Sequence, residues 1–81
     1  MLQRFKKRKL TYSGHAREQM ERRGITEDDV EEALESADTS YPGADKKREN
    51  LVKVGTCSNG RRLNVIVKKR KQHIVVTTYW G

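Results

Sequence analysis

The chain carries the side-chain types that cleavage of RNA without a metal ion requires. One group must activate the 2′-hydroxyl, another must protonate the leaving oxygen, and cations must stabilise the charge that develops on the phosphate. Histidine, lysine, arginine and tyrosine fill these roles, and the 81 residues include two His, three Tyr and 18 Lys and Arg. Their spacing along the chain does not by itself select one catalytic set.

Neither a metal ion nor a cofactor is expected to take part in such chemistry. The single cysteine, Cys57, excludes an internal disulfide. Together with His15 and His73 it forms a scattered group without the short Cys/His spacing of a zinc site. The sequence also has no phosphate-cradling glycine loop and no nucleophile elbow. We therefore expect no cofactor and no metal.

Charge is sorted by position along the chain. Residues 13–38 carry nine acids against three arginines, whereas residues 39–81 carry ten basic side chains against two acids. This sorting predicts a basic surface that attracts phosphate and an acidic surface that attracts a basic partner or repels nucleic acid. Residues 1–12 add five basic side chains and no acid, which are expected to bind nucleic acid: Arg4, Lys6, Lys7, Arg8 and Lys9.

Length and hydropathy predict one domain without a membrane segment. We expect residues 1–10 to form a basic N-terminal arm and residues 11–81 to form a single α+β domain with a small core. No apolar run is long enough to cross a membrane, and no apolar segment of signal-peptide length follows the basic start. These features predict a cytoplasmic location.

The order of elements is predicted to be two helices followed by three strands. The first helix is predicted over residues 11–23, with Ser13 as a candidate N-cap and Gly24 following its end. Thr26 is the candidate N-cap of a second helix, whose apolar stripe consists of Val30, Ala33, Leu34 and Ala37. Strands are expected near residues 48–57, 61–69 and 73–80. The prediction is an ααβββ domain with two helices on one face of a three- to four-stranded antiparallel sheet.

Turn chemistry predicts how the strands pair. Asn59-Gly60 favours a two-residue type I′ turn, which would pair Thr56 with Leu63. The same register pairs two further sets on the helix-covered face, Val54 with Val65 and Val52 with Val67. A second two-residue turn at Arg70-Lys71 would pair Val67 with Ile74 and Val65 with Val76.

The opposite face of this sheet is predicted to be polar and basic. The middle strand would contribute Arg62, Asn64, Ile66 and Lys68, and the last strand His73, Val75, Thr77 and Tyr79. Such a face can bind phosphates and stack a base, and we assign Arg62, Asn64, His73 and Thr77 to nucleic-acid binding. A solvated outer face is the alternative, because antiparallel sheets often have one.

Two residues of the first helix have competing interpretations. Arg23 falls almost on the apolar stripe of Ala16 and Met20, so it needs a carboxylate, a carbonyl or a ligand phosphate. The alternative to a ligand phosphate is a structural role, in which Arg23 pairs with an acidic residue of the second helix. His15 lies on one flank of the helix, where capping or packing competes with catalysis.

Residues 15–25, HAREQMERRGI, resemble the H-A-x-x-R-M-x-x-R-G-I signature of a small prokaryotic family, domain of unknown function 4258. The following Thr26-x-x-Asp29-Val30 and the closing Val76-Thr77-Thr78-Tyr79 are similar to that family as well. Gln19 stands where the family often has arginine. Members resemble the RelE and BrnT toxins, whose fold of two helices and a sheet supports RNA cleavage without metal. The resemblance implies four catalytic positions and an antitoxin-like protein partner; the positions are His15, Arg23, Lys68 and Tyr79.

Three functions follow from the sequence and stay open at this point. The first is an RNA-binding domain, with metal-independent ribonuclease activity of toxin type. The second is a nucleic-acid-binding protein without catalysis. The third is a protein-interaction module that acts through the acidic second helix, and binding that depends little on salt would favour it over the other two.

Overall fold

The computed structural model describes residues 9–81, which form two helices and a five-stranded mixed sheet. The helices are α1 (Gly14–Arg23) and α2 (Glu27–Glu35). The strands are β1 (Thr11–Tyr12), β2 (Thr39–Pro42), β3 (Asn50–Thr56), β4 (Arg62–Lys68) and β5 (Ile74–Trp80), and a single 3-10 turn spans Lys46–Arg48. The strand order is β1-β5-β4-β3-β2, in which only the β1–β5 pair is parallel.

The α+β class and the two helices are confirmed, but the sheet has two strands more than the ααβββ order. Both extra strands are short and lie at the sheet edges. β1 occupies residues that the sequence assigned to the first helix, because Ser13, as the N-cap, delays that helix to Gly14. β2 lies before residues 48–57, where the first strand was predicted. No helix among the described residues is long and apolar enough to cross a membrane.

Capping residues set where the helices begin. Ser13 Oγ accepts a hydrogen bond from Ala16 N at 3.0 Å and donates one to Val76 O of β5 at 2.8 Å, so one side chain starts α1 and ties it to the sheet. Thr26 and Asp29 form a reciprocal capping box at the start of α2, with both hydrogen bonds at 3.0 Å. Gly24 ends α1 in the left-handed conformation, with φ of 67°.

The predicted register between β3 and β4 is wrong by one residue. The hairpin loop contains three residues rather than two: Cys57 N donates to Arg61 O, Gly60 N donates to Cys57 O, and Gly60 has φ of 85°. Thr56 therefore lies opposite Arg62. Because side chains alternate between faces, this shift turns Val52 and Val54 away from the helices.

The predicted register between β4 and β5 is also wrong. Val67 pairs with Val75, and Val65 pairs with Thr78, because an irregularity in the pairing leaves Val76 without a partner in β4. The helix side of the sheet still includes the predicted β4 residues, and Val65 is completely buried. The core cluster combines α1, α2 and sheet residues: Ala16, Met20, Ile25, Val30, Ala33, Cys57, Leu63, Val65, Val67 and Val75.

Gly55 lets α2 rest directly on the sheet. A Cβ built on Gly55 would lie 1.9 Å from Ala33 O and 2.8 Å from Ala33 Cα, so no larger residue fits without moving the α2 backbone. Ser36 at the end of α2 holds the next residue of β3, since its Oγ accepts from Thr56 N and donates to Thr56 O, both at 2.9 Å. The helix and the strand are thus joined by a close contact and by hydrogen bonds.

Substitution Gly55→Ala is expected to lower the free energy of unfolding by about 3 kcal/mol, the upper part of the range for overpacked sites. The cause is the clash with backbone atoms of Ala33, which cannot rotate away as a side chain can. Urea denaturation followed by circular dichroism measures the change. Gly14→Ala is the matched control because its Cβ meets nothing within 4 Å. An unchanged urea midpoint for Gly55→Ala would contradict the close contact.

Candidate nucleic-acid interface

Two basic runs that are separate in sequence meet at one end of the sheet. The 3-10 turn Lys46–Arg48 precedes β3, and residues 68–71 end β4 and begin the loop to β5. Pairing of Asn50 with Lys68 places the two segments side by side. Lys69 N donates to Glu49 O at 2.9 Å, which fixes this arrangement. We call the resulting surface the basic end; it consists of Lys47, Arg48, Lys68, Lys69, Arg70 and Lys71.

The basic end keeps most of its charge uncompensated. All six side chains are exposed. Arg48 contacts Asp45 at 3.2 Å and Arg70 contacts Glu49 at 3.4 Å, in pairs whose side chains are more than half exposed. Exposed pairs of this kind contribute little energy and open readily. Among the described residues, no ion pair engages the four lysines of the basic end.

A sheet face adjoins the basic end, and both described helices pack on its opposite side. The strand registers arrange this face in rows that cross the sheet. One row is Tyr41, Val52, Ile66 and Thr77; the next is Thr39, Val54, Asn64 and Tyr79. We call these eight residues the open face. Lys68 lies at its basic end, and Arg62 lies at the other.

The structure distributes the predicted nucleic-acid-binding residues unevenly. Asn64 and Thr77 lie on the open face, as predicted. Val75 does not, because it is completely buried in the core on the helix side. His73 lies in the turn before β5, half-buried, with its carbonyl accepting from Thr11 N. Lys9 is exposed, whereas the other predicted arm residues lie outside the described part of the chain: Arg4, Lys6, Lys7 and Arg8.

Arg62 is held by neighbours of its own chain. Its Nη1 and Nη2 atoms each donate to one carboxylate oxygen of Asp38 at 2.9 Å, and Nη1 also reaches Thr56 Oγ1 at 3.1 Å. Hydrogen bonds from Arg62 and Thr39 lower the pKa of Asp38 from 3.8 to about 2. A guanidinium engaged in this way is less available to a phosphate than the exposed lysines of the basic end.

The four predicted catalytic residues do not meet at one point. Lys68 and Tyr79 share the open side of the sheet, but Tyr79 pairs with Asn64, which is four residues from Lys68, about 13 Å along β4. His15 is exposed in the first turn of α1, in the helix layer. A general acid and a general base must both reach one phosphate, so this arrangement does not by itself form a cleavage site.

Arg23 has a structural role other than the expected pairing with an acid of α2. Its Nη1 donates to Thr78 O of β5 at 3.1 Å, and its own carbonyl accepts from Trp80 Nε1 at 2.9 Å. These two bonds fasten the last turn of α1 to the end of β5. The Arg61 guanidinium also lies over the Trp80 ring in a cation–π contact, with its Cζ 4.0 Å from the ring centroid.

A group of possible metal ligands lies between α2 and the hairpin loop. It consists of Asp29, Glu32 and Cys57, whose ligand atoms lie within 4.8 Å of one another. Each already has a structural partner: Asp29 caps α2, Glu32 Oε1 accepts from Ser58 N at 2.9 Å, and Cys57 Sγ donates to Asp29 O at 3.4 Å. Burial raises the pKa of the Cys57 thiol, and both carboxylates add to the effect. Because metal ligation requires the thiolate, these contacts favour a structural role.

Sequence reasoning missed five of the six residues of the basic end. The signal was present in the two basic runs on either side of the central hairpin, residues 46–48 and 68–71. Any register that pairs the start of β3 with the end of β4 brings these runs together. The prediction concentrated instead on the N-terminal run and on the polar sheet face.

The pairing of Arg62 with Asp38 gives a prediction for pH dependence. The Asp38 carboxyl should titrate near pH 2 by NMR, and in Arg62→Gln its pKa should rise towards 3.8, because the strongest hydrogen bonds to the charged form are lost. A depressed pKa stabilises the fold above pH 3.8 and loses this effect as the pH falls towards 2. Arg61→Gln is the control and should leave Asp38 unchanged. A wild-type Asp38 that titrates near 3.8 would refute the pairing.

Comparison with known proteins gives one result about family and two without a match. No curated protein and no solved structure matches the chain, so the resemblance to RelE and BrnT toxins gains no support from these comparisons. The family model "Domain of unknown function (DUF4258)" matches residues 12–80, from β1 to the end of β5. The signature in α1 and the match over nearly the whole chain lead to one conclusion: the chain belongs to the DUF4258 family.

Proposed function

We propose that this protein binds single-stranded RNA, with the RNA phosphates at the basic end and the RNA strand lying across the open face. The observation that carries the proposal is the convergence of residues 47–48 with residues 68–71 at one end of the sheet. Four lysines there have no ion-pair partner among the described residues. Neutralising backbone phosphates with such side chains releases counterions and drives association.

Charge on the two layers of the domain supports the same orientation. Eight of the eleven acidic residues of the chain belong to α1 and α2, which lie on the side of the sheet away from the open face. These helices would repel a polyanion, whereas the basic end would attract it. An RNA strand is therefore steered to the end and the face of the sheet that the described helices leave uncovered.

The open face supplies groups that suit unpaired bases. Tyr41 is 45% exposed, and Tyr79 is partly exposed at the opposite corner of the face. Val54 and Ile66, which are both partly exposed, form an apolar surface between them, and Val52 is buried beside them. Aromatic rings stack on the bases of single strands with little dependence on sequence, while a duplex hides its bases from such a surface.

Binding without cleavage is the form of this function that the arrangement of side chains favours. The four residues implied as catalytic are divided between the helix layer and the open side of the sheet, and Arg23 is engaged with β5. An interaction of the acidic α2 with a basic protein is the competing hypothesis. It predicts a partner on the other layer of the molecule, so substitutions at the basic end distinguish the two.

The test is titration of the full chain with a fluorescently labelled ten-nucleotide single-stranded RNA at several salt concentrations. Wild-type affinity should fall steeply with salt. Lys69→Gln/Lys71→Gln should reduce the slope of log affinity against log salt by about 1.4, or about 0.7 for each phosphate that the variant no longer neutralises. Arg17→Gln/Arg22→Gln is the matched control, since it removes two exposed charges from α1.

Only the variant at the basic end should lose affinity strongly. An equal loss in the two double variants would mean that net charge alone attracts RNA, and it would contradict a site at the basic end. A wild-type protein that binds no RNA at low salt would refute the proposed function.

A further inference from the structure

We propose that Asn64 and Tyr79 form a subsite for one nucleobase, with the base stacked on the Tyr79 ring and hydrogen-bonded to the Asn64 amide. This inference rests on the proposed function and adds a defined position for a base on the open face. The two residues lie directly opposite each other on β4 and β5. Directly paired residues have Cβ atoms about 5 Å apart, so a ring and an amide at these positions can contact the same planar ligand.

Asn64 is the only polar residue of the open face that is nine-tenths buried, with 9% of its surface exposed. Among the described residues, no hydrogen bond to its side-chain amide is present; its backbone carbonyl accepts from Thr78 Oγ1 at 2.7 Å. A buried amide without partners is costly unless a ligand or water satisfies it.

One neighbour of the Asn64 amide, Gly81, has no side chain. Val54 flanks Asn64 on β3, and Gly81 follows Tyr79 and Trp80 at the end of β5. A side chain at Gly81 would place its Cβ 3.2 Å from Asn64 Nδ2 and 3.2 Å from Arg62 Cβ, so glycine keeps the donor of the amide accessible. An amide offers one donor and one acceptor side by side, which matches adjacent groups on the edge of every base.

The position of the subsite agrees with phosphates held at the basic end. Lys68 lies about 13 Å from Asn64 along β4, and Ile66 and Thr77 occupy the row between them. One strand of RNA can therefore place its phosphates near Lys68 and a base against Tyr79. Tyr41 lies at the diagonal corner of the face, beside Val52, and does not border the Asn64 amide.

The experiment compares two ten-nucleotide probes of equal charge, a uridine decamer and an abasic ribose-phosphate decamer. Wild-type protein should bind the uridine decamer about tenfold more tightly, which is in the range of one stacked base. Tyr79→Ala should bring this ratio close to one, whereas Tyr79→Phe should keep it because the ring remains. Arg17→Gln/Arg22→Gln, which changes only the helix layer, should keep the ratio, and Lys69→Gln/Lys71→Gln should weaken both probes alike.

Asn64 is tested with the same two probes. Asn64→Ala should lower the preference for the uridine decamer over the abasic decamer, because the hydrogen bonds to the base are lost while the Tyr79 ring remains, with folding checked by circular dichroism. Tyr79→Phe and Tyr79→Ala keep the inference falsifiable if Asn64→Ala does not fold. Wild-type protein that binds both probes equally, with strong salt dependence, would overturn the subsite and leave the proposed function standing. Equal losses of the ratio in Arg17→Gln/Arg22→Gln and Tyr79→Ala would also overturn it, and binding of neither probe would overturn both proposals.

Discussion

The contact between the α2 backbone and Gly55 is the constraint on which the rest of the structure depends. With no Cβ at this position, the helix lies against β3 at a distance that excludes any other residue. This contact assigns Gly55 to the helix side of the sheet and therefore assigns Val52 and Val54 to the open face. The three-residue hairpin loop agrees with it, since it places Gly55 opposite the buried Leu63. The position of one small residue thus determines which side chains the open face presents.

The same register has a consequence at the far end of the hairpin. Pairing Gly55 with Leu63 extends to the pairing of Asn50 with Lys68, which aligns the basic segments on either side of the hairpin. Charge that is dispersed in the sequence becomes a single surface only through this alignment. Acidic side chains are collected on the two helices in the opposite layer. A core contact that carries no charge therefore organises the electrostatics of the whole molecule.

The elements marked by local chemistry could be predicted from the sequence. Ser13, Thr26 and Gly24 fixed the helix ends because caps act over three or four residues. The register between β3 and β4 could not be predicted, because Asn-Gly occurs in two kinds of hairpin loop. It forms a two-residue turn, and it also fits the last two positions of a three-residue loop in which the glycine has a positive φ, as Gly60 does. Gly55 was overlooked because glycine within a strand has no periodic signal, and its meaning depends on a helix distant in sequence. The irregularity at Val76 likewise has no local signature.

The candidate site likewise combines positions that the sequence predicts with contacts that it does not. The sequence placed three of these residues on the side of the sheet opposite the helices: Asn64, Thr77 and Tyr79. Side chains two positions apart on a strand lie on the same face, and this alternation does not depend on which strand is the partner. Arg62 was assigned to nucleic-acid binding because its partner, Asp38, is remote in sequence. Arg23 was assigned to a catalytic position for the same reason, since it donates to the Thr78 carbonyl. Long-range pairs of this kind become visible only once the sheet is assembled.

The central claim is that the basic end and the open face together form the surface that binds RNA. Its most direct test is a map of backbone amide chemical shifts recorded on the isotope-labelled protein while a ten-nucleotide single-stranded RNA is added at low salt. We predict that shift changes concentrate at residues 47–48, 64–71 and 77–79. Changes that concentrate on α2, or that spread evenly over the molecule, would contradict the claim.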